Sequence, residues 1–234
     1  MTVVAAVQMT SGPAVEANLR EAGRLLDEAA GRDARLVVLP ENFAHMGLQE
    51  TDTLAIAEAE GRGPVQAFLS RQAADHGFWL VGGTIALRAG DGRRVRSACL
   101  LYDDQGRLAA RYDKIHLFDV QLPGGRESYL ESATVEPGER VVVADTPFGK
   151  LGLAVCYDLR FPELFRRMLD QGMEIMALPA AFTAVTGQAH WQPLLRARAI
   201  ENLCHVVASA QGGVHANGRQ THGHSMIIDP WGAI

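Results

Sequence analysis

The sequence has little cysteine and no excess of basic residues, and its longest apolar runs have only the length of strands. Cys99, Cys156 and Cys204 are its three cysteines, an odd and sparse set that predicts no disulfide framework. A net charge of -5 argues against a nucleic-acid partner. The apolar runs fall short of the ~20 residues that a membrane helix needs, and the first residues do not resemble a signal peptide. We therefore expect a cytoplasmic protein that binds neither nucleic acid nor membrane.

Metal-ligand motifs are also scarce. No CxxC or HExxH spacing occurs in the sequence, and structural zinc sites normally show four clustered ligands. His222 and His224 in THGHS stand two residues apart, which is a weak ligand signal. The residues therefore predict no metal site.

What the sequence does contain is an alternation of apolar strands and helices, interrupted by two hairpins. Strands are predicted over 2–9, 34–40, 78–87, 174–179 and 205–211, helices over 18–30, 63–77, 162–172 and 190–204, and hairpins over 97–114 and 140–158. No linker or low-complexity run interrupts this order, so we expect a single domain over residues 1–234. The last residues read as a strand and a turn without a returning strand, so the chain is expected to be incomplete there.

The apolar strands need cover on both faces. A four-layer α-β-β-α sandwich, with helices outside and two sheets inside, meets that requirement and is the predicted α/β architecture. Two strands end alike, because VVLPENF (37–43) and MALPAAF (176–182) both contain Leu-Pro-x-x-Phe. The repeated pattern predicts that the two halves of the chain have similar structures. Glu41 in the first copy corresponds to Ala180 in the second, so function is expected to concentrate on the first copy.

Polar residues stand where strands end, the rim at which sites form in open α/β sheets. Glu41 follows one strand, Lys114 follows a hairpin, and Cys156 begins CYDLRFPE. Each taken alone is more simply a loop carboxylate, a surface lysine or an inert core cysteine. Together they can serve as base, electrophile and nucleophile, because only a thiolate attacks and a free thiol has a pKa of ~8.5.

Histidine offers a second assignment for the same chemistry. His45, His116 and His190 lie in the neighbouring segments, so a Cys–His pair is the alternative to the Glu–Lys–Cys set. The chemistry of the residues leaves both open.

The ordered motifs LPENF, DKIHLFD and CYDLRFPE resemble those of the nitrilase-type carbon–nitrogen hydrolases. The resemblance runs from AAVQM near the start to GHSMIIDPWG near the end. It implies that Glu41 is the general base, Lys114 the oxyanion stabiliser and Cys156 the nucleophile. It also implies an α-β-β-α sandwich, no cofactor or metal, and homodimers or larger assemblies.

The resemblance implies two further groups. A second glutamate orients the lysine and substrate, and ESATVEPGE places it on Glu131, with Glu127 as the alternative. The backbone N–H of Tyr157, directly after the nucleophile, completes the oxyanion hole.

Three segments, LRFPELFRRML, TGQAHWQPLLRARAIEN and GHSMIIDPWG, are most similar to the branch of deaminated glutathione amidases. This predicts hydrolysis of a linear, non-peptide amide in a small carboxylate-bearing substrate, through a cysteine thioester and with release of ammonia. Omega-amidases acting on α-ketoglutaramate and N-carbamoyl amide hydrolases are the alternatives. A catalytically silent binding protein on the same fold is the alternative that is not an enzyme.

A carboxylate-bearing substrate calls for an arginine. Arg160 is the candidate, and an ion pair with Glu163 or Glu201 is its structural alternative. The pocket wall is expected in AAFTAVTGQAHW, and its candidate substrate contacts are Thr183, Thr186 and Gln188. The residues expected to be structural are Arg196, Arg198, Cys99 and Cys204.

Overall fold

A computed structural model of the protein describes residues 2–121 and 128–234. Its helices are α1 (Val15–Ala30), α2 (Asp52–Ala55), α3 (Pro64–His76), α4 (Pro162–Asp170) and α5 (Ala184–Asn202). Its strands in the first half are β1 (Val3–Ala6), β2 (Ala34–Val38), β3 (Trp79–Val81), β4 (Ile85–Arg88), β5 (Val95–Tyr102), β6 (Leu108–Asp113), β7 (Asp119–Gln121) and β8 (Ser128–Leu130). The later strands are β9 (Val143–Thr146), β10 (Gly149–Leu153), β11 (Ile175–Ala180), β12 (His205–Ala210), β13 (Gly212–Val214), β14 (Gln220–His222) and β15 (Met226–Ile228). Two short 3₁₀ turns span Glu131–Ala133 and Cys156–Arg160.

The strands form two main sheets. The first has the order β1-β2-β3-β5-β4, with β6 paired to β5, and its strands β1, β2 and β3 run parallel. The second has the order β15-β12-β11-β10-β9, with β10, β11 and β12 parallel and an antiparallel strand at each edge. Both sheets thus contain a parallel trio, with β2 as the middle strand of one trio and β11 as the middle strand of the other.

Two apolar clusters hold the layers together. One joins the sheets to each other and to the α4–α5 layer, and it includes Val38, Leu153, Leu178 and Trp191. The other packs α1 and α3 on the outer face of the first sheet. Burial of this apolar surface is the main stabilising contribution. The predicted four-layer α-β-β-α sandwich is confirmed, whereas the single domain over residues 1–234 stays a prediction.

The predicted strand over 78–87 is wrong in one respect, because the chain breaks it into β3 and β4. Gly82 and Gly83 separate the two strands, and Gly83 has a left-handed φ of 58°. A Cβ at Gly83 would lie 2.1 Å from the carbonyl oxygen of Pro40. The glycine therefore permits a close approach to the segment that carries Glu41.

Helix α5 begins six residues earlier than the predicted helix at 190, so most of the expected wall segment is helical. Thr183 caps it and accepts a hydrogen bond from the backbone N–H of Thr186. Glycine and β-branched residues in this turn have low helix propensity, which hides the helix in the sequence. Tertiary packing favours it, because a Cβ at Gly187 would lie 2.2 Å from the side chain of His222.

Among the described residues, no helix has the length and apolar character needed to cross a membrane.

Candidate active site

Cys156 begins the 3₁₀ turn that follows β10. Its φ of 48° is left-handed, an unfavourable conformation for a residue with a side chain, and such strain persists only where the surroundings impose it. Asp158, fully buried, supplies part of that support. Its Oδ2 accepts hydrogen bonds from the backbone N–H of Val155 at 2.8 Å and from the hydroxyl of Tyr112 at 2.7 Å. The turn is therefore anchored to strand β6.

The same carboxylate reaches the segment that follows Lys114. Asp158 Oδ1 accepts a hydrogen bond from the backbone N–H of His116 at 3.1 Å and lies 2.6 Å from its Nδ1. The imidazole of His116 also stacks on Phe161, with ring centroids 3.7 Å apart. Asp158 thus links the turn that carries Cys156 to the segment that carries Lys114, a role that sequence reasoning missed.

Three acidic and basic side chains meet beside the cysteine. Lys114 Nζ lies 2.9 Å from Glu41 Oε1 and 2.9 Å from Glu131 Oε2. Glu41 also hydrogen-bonds the side chain of Cys156. Glu131 is held in turn by the backbone N–H of Phe118, which donates to its Oε2 at 2.6 Å. The structure therefore brings together the four side chains that the sequence singled out for catalysis.

Their distance along the chain hides this cluster from local sequence patterns. Glu41 follows β2, and its carbonyl accepts a hydrogen bond from Gln211 Nε2 at 3.1 Å. Lys114 follows β6, and Glu131 lies in the first 3₁₀ turn. Glu127, the alternative second glutamate, lies outside the described residues.

Burial and charge set the protonation of the cluster. Burial by itself raises the pKa of Glu41, but the charge of Lys114 and hydrogen bonds from Lys114 and Cys156 bring that pKa below its usual value. Burial raises the pKa of Glu131, and repulsion from Glu41 adds to this against the attraction of Lys114. Burial lowers the pKa of Lys114, but the two carboxylates raise it well above its usual value. These shifts favour an ionised carboxylate at Glu41 and a charged ammonium at Lys114.

Cys156 is a protonated thiol in this environment. Burial and the negative charge of Glu41 raise its pKa well above the ordinary value, while Lys114 and a hydrogen bond from the backbone N–H of Ala181 act in the opposite direction. Burial also raises the pKa of Cys204, to about 11, and that of Cys99. Among the described residues, Cys156 is the one cysteine of the three whose pKa is affected by a hydrogen bond with a carboxylate, that of Glu41. That carboxylate can accept the thiol proton.

The histidine alternative is not supported by these contacts. In the described chain, one ring nitrogen of each candidate histidine contacts a group other than Cys156: Nδ1 of His45 the carbonyl of Pro13, Nδ1 of His116 the carboxylate of Asp158, and Nδ1 of His190 the guanidinium of Arg160. Besides burial, it is the carboxylate of Glu41 that raises the pKa of Cys156.

A cavity of about 590 Å³ opens onto the cluster. This volume lies within the ~300–1,000 Å³ of small-molecule sites. The wall includes all four predicted catalytic side chains together with Tyr157, Thr183 and Thr186. The cavity therefore gives a small molecule access to the thiol.

Two predicted substrate contacts lie elsewhere. Gln188 is exposed and does not line the cavity, because residues 186 and 188 point to different faces of α5 once this segment is helical. Arg160 lies behind the wall, with its guanidinium 5.9 Å from the ring centroid of Tyr157 and 5.5 Å from that of Phe182. Within the described residues, Arg160 forms no ion pair with Glu163 or Glu201, and Glu201 pairs with Arg198 instead, at 2.7 Å.

Sequence reasoning also missed Arg219, which lines the cavity. It lies just before β14, and its Nη2 donates to the carbonyl of Ala181 at 2.8 Å. Asn217-Gly218 is a turn signal that could have placed Arg219 at the tip of a hairpin. That signal does not reveal which surface the tip contacts.

Among the described residues, no group of three or more His, Cys, Asp or Glu side chains is suited to hold a metal ion.

Comparisons with known proteins show the family to which the chain belongs. The carbon-nitrogen hydrolase family model matches residues 3–234. A deaminated glutathione amidase of Synechocystis is 47% identical over 99% of this chain and 85% of its own length. A protein of the same name from Yersinia enterocolitica is 44% identical over 99% of this chain and 80% of its own. The crystal structure of the C. elegans NitFhit protein superposes with a TM-score of 0.90 at 38% identity, covering 100% of this chain and 58% of that one.

With the family model spanning nearly all of its residues, the chain belongs to the carbon-nitrogen hydrolase family.

Proposed function

We propose that the protein hydrolyses the amide bond of a small carboxylate-bearing substrate through a thioester on Cys156. The observation that carries the proposal is the contact set at the thiol. Glu41 hydrogen-bonds Cys156, and Lys114 lies between Glu41 and Glu131 at hydrogen-bonding distance from both. This provides a nucleophile, a proton acceptor and a fixed cation in one cavity.

Acylation begins when Glu41 accepts the thiol proton and the sulfur attacks the amide carbon. The C–S bond forms as the carbonyl electron pair moves to oxygen. Lys114 and the backbone N–H of Tyr157 are the proposed donors to that oxyanion. When the carbonyl re-forms, the C–N bond breaks and Glu41 returns the proton to the leaving nitrogen.

Deacylation repeats the same acid–base steps with water. Glu41 accepts a proton from water as the hydroxide adds to the thioester carbon. Collapse of the second oxyanion breaks the C–S bond, releases the carboxylic acid and lets the thiolate recover its proton from Glu41. Glu131 holds Lys114 in place throughout, since both of its carboxylate oxygens accept hydrogen bonds from Lys114 Nζ.

Relatives named deaminated glutathione amidase support that substrate for this chain. Glutathione contains no primary amide, so cleavage of its deaminated form at the glutaramyl amide releases an amine. Ammonia, which the sequence led us to expect, is released only from a primary amide such as α-ketoglutaramate. The Tyr157 amide, Thr183 and Thr186 are the proposed contacts around the scissile group, since all three residues line the cavity.

The test combines trapping with a substrate panel. We expect intact-mass analysis of the protein with deaminated glutathione to show an acyl adduct that maps to Cys156 and is absent in Cys156→Ala. An adduct on Cys99 or Cys204 instead, or no turnover of any amide in the panel, would contradict the proposal and favour a silent binding protein. The panel includes α-ketoglutaramate, N-carbamoyl amino acids and aliphatic nitriles, and turnover of nitriles comparable to amides would overturn the amidase assignment.

We also propose a cytoplasmic location and a homodimer or larger homo-oligomer. The assembly follows from the family resemblance, and Leu203 and Trp231, which are 77% and 88% exposed, are candidate interface residues. Sedimentation of the purified protein measures the oligomeric state directly, and a monomer at micromolar concentration contradicts this proposal.

A further inference from the structure

Two side chains of the lysine and arginine type reach the described cavity wall, and they differ in their partners. Lys114 lies between the carboxylates of Glu41 and Glu131. Arg219 forms no ion pair with any carboxylate among residues 2–121 and 128–234. An arginine in a cavity, with no carboxylate at ion-pair distance among the described residues, is suited to an anionic ligand.

The guanidinium of Arg219 has unused hydrogen-bonding capacity. Its Nη2 donates to the carbonyl of Ala181 at 2.8 Å, whereas its enclosed Nε has no acceptor among the described residues. An enclosed donor without an acceptor is unfavourable, so a ligand that supplies the acceptor is stabilised. The guanidinium also lies 5.0 Å from the ring centroid of Tyr129, an arrangement typical of a stacked arginine that presents its donors edge-on.

The backbone that carries Arg219 is fixed by contacts on both sides. The backbone N–H of Arg219 donates to Asn217 Oδ1 at 2.9 Å, and Asn217 Nδ2 donates to the carbonyl of Gly47 at 2.9 Å. His215, buried before the tip, contacts Thr221 through its Nε2 at 2.7 Å. The arginine is therefore presented by an anchored hairpin.

Ala181 connects this arginine to the nucleophile. Its carbonyl accepts from Arg219, and its N–H donates to the sulfur of Cys156. One residue thus separates the guanidinium from the atom that attacks the amide carbon. Because Arg219 and Cys156 line the same cavity on either side of Ala181, a carboxylate on a short acyl chain suits the arrangement.

We propose that Arg219 binds the carboxylate of the substrate's acyl portion and thereby selects short acidic amides over neutral ones. The inference rests on the proposed amidase function and assigns its substrate class. A carboxylate can accept two hydrogen bonds from one guanidinium, a geometry that fixes the acyl chain as well as its charge. Arg160, the arginine chosen from the sequence, is the competing assignment, but its Nη2 faces His190 Nδ1 at 3.3 Å behind the wall.

The test uses glutaramate and its methyl ester, which share the scissile amide and differ in the carboxylate. We expect Arg219→Gln to lower kcat/KM for glutaramate about 10- to 100-fold, mainly through KM, and to leave the ester within about twofold. Arg219→Lys keeps the positive charge but loses the planar guanidinium that donates two hydrogen bonds. Its kcat/KM for glutaramate should lie between those of the wild type and Arg219→Gln. Arg196→Gln is the matched control, because Arg196 Nε likewise donates to a backbone carbonyl, that of Gly232 at 2.8 Å, outside the cavity.

A binding measurement separates this inference from the proposed function. Glutarate binding to Cys156→Ala, followed by calorimetry, should weaken by the same factor when Arg219→Gln is added, even if no amide is turned over. Equal losses on the acid and the ester, or unchanged glutarate binding, overturn the role of Arg219. A selective loss in Arg160→Gln with none in Arg219→Gln assigns the carboxylate to Arg160. Failure of the wild-type chain to hydrolyse any amide, with glutarate binding still dependent on Arg219, overturns the proposed function alone.

Discussion

The two Leu-Pro-x-x-Phe segments lie at the ends of β2 and β11, the middle strands of the two parallel trios, and contact one cysteine in different ways. The first copy, after β2, directs the side chain of Glu41 to Cys156. The second copy includes the end of β11 and directs the backbone, with the N–H of Ala181 donating to the sulfur and its carbonyl accepting from Arg219. Two copies of one local structure therefore contribute different groups to Cys156. The first copy contributes the carboxylate proposed to transfer the proton, and the second contributes backbone N–H and carbonyl dipoles.

The largest effect on kcat is expected from substitution of Glu41, which lies in the first Leu-Pro-x-x-Phe segment. Glu41→Gln keeps the shape but cannot accept the thiol proton, so kcat should fall about 10²- to 10⁴-fold. Steady-state kinetics on the best amide of the panel measures the loss, and thermal melting of the variant checks that it is folded. A decrease of less than tenfold contradicts the assignment of Glu41 as the base.

The second prediction concerns a substitution that displaces the segment carrying Glu41 and leaves the glutamate itself unchanged. Gly83→Ala places a Cβ at a left-handed φ and 2.1 Å from the carbonyl oxygen of Pro40, so the segment that carries Glu41 must shift. Displacement of a catalytic group by about 1 Å can reduce the rate about 10²-fold. Gly61→Ala is a matched control for the backbone penalty, because Gly61 has a φ of 73° and a Cβ there meets no atom within 4 Å.

For the Gly83→Ala variant, kcat and the melting temperature are measured together. An equal loss of melting temperature in both variants, with kcat reduced only in Gly83→Ala, sharpens the comparison. Unchanged kcat in Gly83→Ala shows that the contact with Pro40 does not position Glu41.

The third prediction concerns pH. Glu41 acts in its ionised form, and Lys114, Cys156 and Arg219 lower its pKa against the opposing effect of burial. Since protonation of Glu41 removes the base, the acid limb of kcat/KM should lie below the ~4.3 of an ordinary glutamate, with about tenfold loss per pH unit below it. A profile measured over the pH range in which the protein stays folded tests this, and an acid limb near 6 contradicts it.

The smallest effect is expected at the position in the second copy that corresponds to Glu41. Ala180→Ser adds one hydroxyl at a fully buried site, and the backbone groups of Ala181 that contact Cys156 and Arg219 are unchanged. We expect kcat to stay within about threefold, with a stability loss of about 1–3 kcal/mol from overpacking and the buried hydroxyl. A large loss of kcat with little change in denaturant midpoint shows that the side chain at this position matters for catalysis.

The sequence predicted the layers because apolar alternation is a local signal, whereas the resemblance to a known family supplied the four catalytic candidates as a set. Apolar alternation marks strands such as β11, and Glu41 and Lys114 stand beside recognisable strand ends. The break at Gly82-Gly83 and the early start of α5 depend on close contacts with Pro40 and His222, which no local pattern reveals. Asp158 and Arg219 were missed for the same reason, since their roles arise from contacts with distant residues, Tyr112 and Ala181.

The buried carboxylate of Asp158 has a consequence for how the protein inactivates. It joins the strained turn of Cys156 to Tyr112 in a sheet strand and to the backbone of His116, two residues beyond Lys114. Local opening requires segments with few buried contacts, and this connection leaves the nucleophile and the lysine little independent freedom. On warming, activity should persist until the two main sheets unfold cooperatively. A folded but inactive form should therefore not be populated at intermediate temperature.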